Sequence, residues 1–530
     1  MEKWAGHPGG ARPTACPAVP RRAAGTRAGP PKDSTMLSTR LLTRPAAVAV
    51  AFLIGLPVVN VAAPAAAAEP LKWRPCATTA KDWPVPEDTK SECTMLSVPM
   101  DYAKPEGRTI KIAVSRLKAA DPGKRRGVLV ISPGGPGISN ISAPSSYSAN
   151  ALRELAVDHD LVGLDPRGAG YSDKIDCPGD EERKKPSSAK PGKDEKARAR
   201  ASFDEAAAYN RRCVAKDPGF ARQLTTTNIA RDVDSIRAAL GESTIDFYGV
   251  SYGTAVAVNY RSLFDHRVGR MWVESPMPPV MDLTAMDASV EAFAERQYQL
   301  FLPWLARHDD EFHFGTTTAA AGKAISALRD RLDRRPRVID KGAVLDGDWV
   351  RTTAGGDPSS WVSNARDLAT AREGGVPRSA RPDPASPQVF GFDDTPFGLN
   401  AVQYNAIFCN EGAGGRDFER LWADARARER AFPMSGGLFT QFAGFCAGWP
   451  WPEQPWKPVK GTSPLQISGH RSEISTPYSW AVDTAKAAGG ALLTFPDNDH
   501  GGVIRTPCSA KVIEFFRTGR TTTGTCPAAQ

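Results

Sequence analysis

Ile245 to Thr254 read IDFYGVSYGT, and this stretch decides the fold. IDFYGV is a short apolar run of strand length, and the run TAVAVNYRSLF from Thr254 onward suits a helix. Between them Gly249-Val250-Ser251-Tyr252-Gly253 spells G-x-S-x-G. At a strand-to-helix junction this motif makes a turn so tight that only small residues fit beside the serine, and the hydroxyl is lifted above the end of the sheet. A chance turn rich in Gly and Ser shares the spelling but not the flanking strand and helix. Ser251 is the candidate nucleophile.

Strands of the same kind recur on both sides. Thr109–Leu117 (TIKIAVSRL) alternates in polarity and suits an antiparallel hairpin with Cys93–Val98. Short apolar runs follow at Gly127–Ser132, Leu161–Asp165, Met271–Glu274, Leu465–Ser468 and Leu492–Phe495, each leading into a turn-rich loop or a helical pattern. Asn228–Leu240 spaces Ile229, Val233, Ile236 and Leu240 as one helix face, with Thr227 as the expected N-cap. Continuous apolar strands with helices between them describe an α/β chain whose mostly parallel sheet is covered on both faces. Residues 280–455 break this rhythm with helical stretches, Trp304, Trp361, Trp422, the loop RPDPASPQVFGFDD and the run CAGWPWPEQPW. They read as a mainly helical lid inserted between the strands MWVE and LQIS. The charged excursion over 180–200 reads as a solvated loop or surface helix.

A serine hydroxyl needs a base. In sheets carrying this turn the acid and then the histidine follow the serine along the chain. His500 lies in DNDHGG just beyond the strand LLTF, where a loop can return it to Ser251. His266 fits a helix end, and His308 and His313 fit the charged start of the lid. The acid is expected after LQIS, where Glu473 stands three residues before Thr476-Pro477. A glutamate can orient an imidazole and stabilise its cation as aspartate does. Asp497, Asp499 and Glu274, each near a strand end, are the alternatives. The oxyanion needs two backbone donors. One is the amide of Tyr252, and the other is expected from Gly134 in the loop PGGPG (133–137), where no side chain blocks the approach of the amide.

The first 68 residues form a leader. From Met36 a basic start runs into the apolar stretch Ala46–Leu56 and then into small residues before Glu69, the layout of a secretory signal peptide. The apolar stretch is shorter than the ~20 residues a membrane span needs. Eight Lys/Arg against two acids place six of the eight surplus positive charges in this leader. The body is close to neutral, so neither a polyanion-binding surface nor a nucleic-acid partner is expected. With Cys16 removed, eight cysteines remain, an even number that suits an oxidising compartment. They fall into neighbouring couples, so the simplest pairing is Cys76–Cys93, Cys177–Cys213, Cys409–Cys446 and Cys508–Cys526. There is no CxxC, metal-ligand or phosphate-loop motif, so no metal and no cofactor is expected.

Together PGGPG (133–137), DLVGLDPRGAGYSD (160–173), TTTNIARDVDSIRAALG (225–241), YGVSYGT (248–254), STPYSWA (475–481) and DHGG (499–502) make a family pattern. The chain resembles the secreted tripeptidyl aminopeptidases, actinobacterial α/β-hydrolases similar to proline iminopeptidases. The resemblance runs from about Trp73 to Cys526. It implies an α/β-hydrolase fold and a serine exopeptidase that removes short peptides from free N-termini, with Ser251, His500 and an acid as triad. Asp165 and Arg167 match the family's D-x-R-G-x-G-x-S segment and are expected to support the site. The loop PGGPG carries Pro133 where the family has histidine, and Glu473 stands where it has aspartate. Cys409-Asn410-Glu411 matches a Cys-x-acid segment of the lid, which makes Glu411 the candidate anchor for the substrate's α-ammonium group.

The expected organisation is an extension and signal peptide over 1–68, a first core segment over 69–279, a lid over 280–455 and a closing core segment over 456–530. The expected protein is exported, holds no stable membrane anchor and acts as a monomer on peptides with a free N-terminus. A carboxylesterase or lipase would use the same three residues, because acyl transfer to Ser251 is common to both. A binding protein on a hydrolase scaffold usually lacks a triad member, and here both Ser251 and His500 are present. Dehalogenase or epoxide hydrolase chemistry needs an aspartate in place of Ser251.

Overall fold

The strand that ends at Ser251 lies at the centre of a ten-stranded sheet. The computed structural model describes residues 71–527 except 86, 151, 178–194, 340–343, 381–397 and 438–441. The leader, the loop RPDPASPQVFGFDD and most of the charged excursion lie outside the described residues.

In chain order the strands are β1 (Arg74–Pro75), β2 (Glu92–Pro99), β3 (Thr109–Leu117), β4 (Val128–Ser132), β5 (Asp160–Leu164), β6 (Ile245–Val250), β7 (Val268–Glu274), a separate ribbon of β8 (Arg337–Val338) and β9 (Val344–Leu345), then β10 (Leu465–His470), β11 (Ala491–Phe495) and β12 (Gly524–Thr525). The main sheet runs β1-β2-β3-β5-β4-β6-β7-β10-β11-β12. From β5 to β12 neighbouring strands are parallel, and β1, β2 and β3 add an antiparallel edge that includes the expected hairpin.

Strands β4, β6 and β10 are buried at every position, as unbroken apolar runs require. Alternate side chains feed two apolar layers. Val128 and Val130 pack on one face with Ile229, Val233 and Val256. Leu129 and Ile131 pack on the other with Trp272, Phe495 and Phe516.

Two helices flank the serine: α1 (Thr226–Ala239) and α2 (Tyr252–Phe264). The cap of α1 is Thr225, not Thr227: Thr225 is extended, and its side chain accepts from the Asn228 N–H at 3.2 Å. Thr227 cannot cap because it already lies within the helix, one residue past its start at Thr226.

Between β7 and β10 the chain leaves the sheet through α3 (Leu283–Arg307), α4 (Thr318–Arg334), α5 (Trp361–Arg372), α6 (Ala401–Glu411) and α7 (Phe418–Ala431). The first three bury their own cluster, including Phe301, Leu305, Ile325, Leu328 and Leu368, with Trp304 and Trp361 packed against it. Helix α6 instead joins the main core through Ile407 and Phe408. The four cysteine couples are all bonded as neighbours, and Cys409–Cys446 staples α6 to the turn at Ala443–Cys446.

Candidate active site

Ser251 sits in a backbone conformation that only a constrained turn maintains, with φ 56° and ψ −130°. Such a conformation costs of order 1–3 kcal/mol for a residue with a side chain and persists only where its surroundings enforce it. Here the Ser251 N–H donates to the carbonyl of Glu274 at 3.0 Å, which ties the turn to the end of β7. Gly253 is obligatory, because a Cβ there would lie 2.0 Å from the carbonyl oxygen of Ser132. Helix α2 starts at Tyr252, so the Tyr252 amide has no intrahelical acceptor.

The structure joins the expected acid and base directly. His500 Nδ1 lies 2.5 Å from Oε1 of Glu473. The same oxygen accepts from the Thr476 N–H at 3.1 Å and from the Thr476 hydroxyl, while Oε2 accepts from Ser275 Oγ at 2.8 Å. Glu473 is 1% exposed, so each of its bonds is made out of water. The loop of His500 lies against the end of β6, where a Cβ on Gly501 would lie 2.8 Å from Val250 Cγ1. Ser275 was not foreseen. It follows the strand MWVE directly, and its hydroxyl also accepts from the Gly501 N–H at 3.1 Å.

The alternative acids are committed elsewhere. Glu274 is buried and accepts from the Val503 N–H at 2.6 Å and from the Tyr248 hydroxyl. Its Oε1 also lies 3.2 Å from Nε2 of His470, whose Nδ1 bonds Asp497. Asp499 pairs only loosely with Arg505, at 3.5 Å.

The glycine loop lies against the elbow. A Cβ on Gly134, at φ 116°, would stand 2.8 Å from the Val250 carbonyl and 3.0 Å from the Tyr252 nitrogen. The Gly134 amide itself is engaged, which corrects the expectation that it is a free donor. It donates to Asn140 Oδ1 at 3.2 Å, and Asn140 Nδ2 donates back to the Gly134 carbonyl at 3.2 Å. The neighbouring Gly135 N–H has no acceptor among the described residues.

Asp165 underpins this loop, accepting from Ser139 Oγ, the Asn140 and Ile141 N–H groups and the Tyr171 N–H at 2.7–2.9 Å. Burial pushes the Asp165 carboxyl up to about 6, against the pull of those donors. Arg167 is fully buried and forks onto Asp232 at 2.6 and 2.7 Å. Asp165 thus holds the loop at Ser139–Ile141, and Arg167 ties its own segment to α1 through Asp232.

Glu411, the expected ammonium anchor, is buried at the start of α1. It is 2% exposed, and its oxygens take the Thr226 hydroxyl at 2.5 Å and the Thr227 N–H at 3.3 Å, at the start of α1. An anion there complements the helix N-terminus. Burial pushes its carboxyl up to about 7, against those same donors.

A cavity of about 260 Å³ opens beside the loops that carry Glu473 and His500. Phe293 and Gln297 of α3, with Met434 and Ser435, line one side of it, and Ser472, Ile474 and Asn498 the other.

Known proteins agree with this architecture. The family model described as "alpha/beta hydrolase fold" matches residues 127–371, and the one described as "TAP-like protein" matches residues 434–526. The tripeptidyl aminopeptidase of Streptomyces lividans is 31% identical over 480 residues, covering 87% of this chain and 87% of that protein. Serine protease Hip1 of Mycobacterium tuberculosis is 29% identical, covering 86% of this chain and 90% of its own. Carboxylesterase B of the same organism is 28% identical, covering 84% and 88%. With the elbow, the acid–base pair and this likeness along nearly the whole described chain, the protein belongs to the tripeptidyl aminopeptidase family of α/β-hydrolases and is a serine peptidase.

Proposed function

We propose that the protein is an exported exopeptidase that releases short peptides, tripeptides foremost, from free N-termini through an acyl-enzyme on Ser251. The observation that carries this reading is the 2.5 Å contact between His500 Nδ1 and a buried, fully hydrogen-bonded Glu473, on loops that border the strained elbow. Ser251 Oγ attacks the scissile carbonyl while His500 takes its proton and then delivers it to the departing amine. Glu473 holds the imidazole in the required tautomer and stabilises the cation that forms. The oxyanion is met by the Tyr252 amide and by the amide of Gly135, which takes over the part first expected of Gly134. Water then attacks the acyl-enzyme, with His500 as base, and frees Ser251.

The exopeptidase part rests on the relatives' names and on the space available. A cavity of about 260 Å³ beside the Glu473 loop, lined by Ser472, Ile474 and Asn498, offers room for a substrate chain next to the acid–base pair. Export is supported by the leader and by four disulfides, which persist in oxidising compartments. Among the described residues no helix is long and apolar enough to cross a membrane.

A second reading is a carboxylesterase, favoured by the relative of that name, since the same triad acylates from esters. A peptide library with free and acetylated N-termini, set beside short-chain acyl esters, separates the two. The exopeptidase reading expects short N-terminal fragments from free peptides only. Turnover of esters alone would replace it with the second reading.

A further inference from the structure

We propose that His470 is a positioning residue of this enzyme: a buried imidazolium clamped between Glu274 and Asp497, forming a second, non-reacting acid–imidazole–acid unit that sets the spacing of the loops bearing Ser251, Glu473 and His500. The inference rests on the reading of those three residues as the reacting triad. His470 is the last residue of β10 and is fully buried. Its Nε2 lies 3.2 Å from Glu274 Oε1 at the end of β7, and its Nδ1 bonds Asp497 just after β11. Three adjacent parallel strand ends are thus fastened by one cation, which stacks on Phe495 at a ring separation of 5.0 Å.

Each strand end carries part of the reacting site. The carbonyl of Glu274 holds the Ser251 N–H at 3.0 Å, and its carboxylate holds the Val503 N–H at 2.6 Å, three residues beyond His500. Ser275, next in sequence, joins Glu473 to Gly501. The Ser472 N–H, beside Glu473, donates to the Asp497 carbonyl at 2.9 Å, and the Arg471 N–H to the Phe495 carbonyl at 2.9 Å. Loss of the cation would leave Glu274 as a buried charge short of its counter-ion, and Glu274 holds the serine's own amide.

The groups facing His470 support its charge. Burial opposes the cation, but the bonds from Asp497 and Glu274 prevail and push the imidazole up to about 10. Tyr248 donates to the far oxygen of Glu274, and its hydroxyl is pushed well up by burial and by that carboxylate. Tyr147 is raised to beyond the ordinary tyrosine range by the same causes, and Arg505 is the other cation acting on both tyrosines. A histidine raised in this way lends stability in full below 6.5 and loses it as the pH climbs to about 10.

The test is His470→Gln, with Asp497→Asn as the milder variant should the first not fold. Peptide turnover, the labelling rate of the serine by a fluorophosphonate, and thermal midpoints from pH 6 to pH 10 are measured beside wild type and Ser251→Ala. The expected result is a fall of roughly ten- to a hundredfold in kcat and in labelling rate with KM within about threefold. The midpoint gap to wild type should narrow steadily as the pH rises. A folded His470→Gln or Asp497→Asn enzyme with wild-type kcat and labelling rate would overturn the proposal while leaving the triad standing. Retained turnover in Ser251→Ala would overturn the triad reading and this inference together.

Discussion

Ser275 donates its hydroxyl to Glu473 Oε2 at 2.8 Å, and through the same oxygen it receives the Gly501 N–H at 3.1 Å. One short side chain thereby fixes the distance between the acid and the loop of the base.

Ser275→Ala should lower kcat by about tenfold or more with little change in KM, since a hydrogen bond to a charged group contributes about 1.5–3 kcal/mol. Steady-state kinetics on a peptide anilide would show it. An unchanged kcat would mean that Glu473 is held well enough by Thr476 alone.

Glu473→Gln should keep the fold but present His500 in the wrong tautomer, with turnover lost by about a thousandfold or more. Glu473→Asp should be milder, because the charge survives and only reach is lost. Asp499→Asn, changed at an acid that pairs loosely with Arg505, should turn over normally and serve as the control. A crippled Asp499→Asn beside a normal Glu473→Gln would move the acid.

Glu411→Gln should leave KM for peptides unchanged, because the carboxyl is buried on Thr226 and Thr227. Its effect belongs to stability. Burial raises the carboxyl from 4.5 to about 7, so the folded state holds this proton more tightly than the unfolded chain, and stability falls as the pH rises across that window. The variant should gain on wild type above pH 7 and lose that advantage below 4.5, read as thermal midpoints. A tenfold rise in KM with kcat retained would restore Glu411 as the ammonium anchor.

Replacing Cys409 and Cys446 together by alanine should destabilise the protein by about 2–4 kcal/mol, the usual range for one disulfide. The pair closes a separation of 37 residues between α6 and the following turn. Denaturant unfolding measures the loss, and unchanged stability would mean that the apolar contacts of α6 suffice.

What could be read from the sequence was whatever local sterics or periodicity enforce. The elbow is legible because Gly253 admits no side chain against Ser132, and Glu473 because it follows a buried strand and precedes Thr476-Pro477. The cysteine couples are legible because each partner is the neighbour in sequence. Long-range side-chain bonds leave no local trace. His470 looks like an ordinary strand terminus until the fold brings Glu274, 196 residues away, against its Nε2. The Gly134 amide looks free until Asn140 folds back onto it. Thr227 and Thr225 are equivalent as caps on paper, and where the backbone turns helical, at Thr226, decides between them.

The most direct test is the residue that a fluorophosphonate modifies in the purified protein, mapped by mass spectrometry of tryptic peptides. The account expects a single adduct on Ser251, formed in step with the loss of peptide hydrolysis and absent from Ser251→Ala. Hydrolysis that persists with Ser251 fully modified, or an adduct on another residue that abolishes activity, would contradict it.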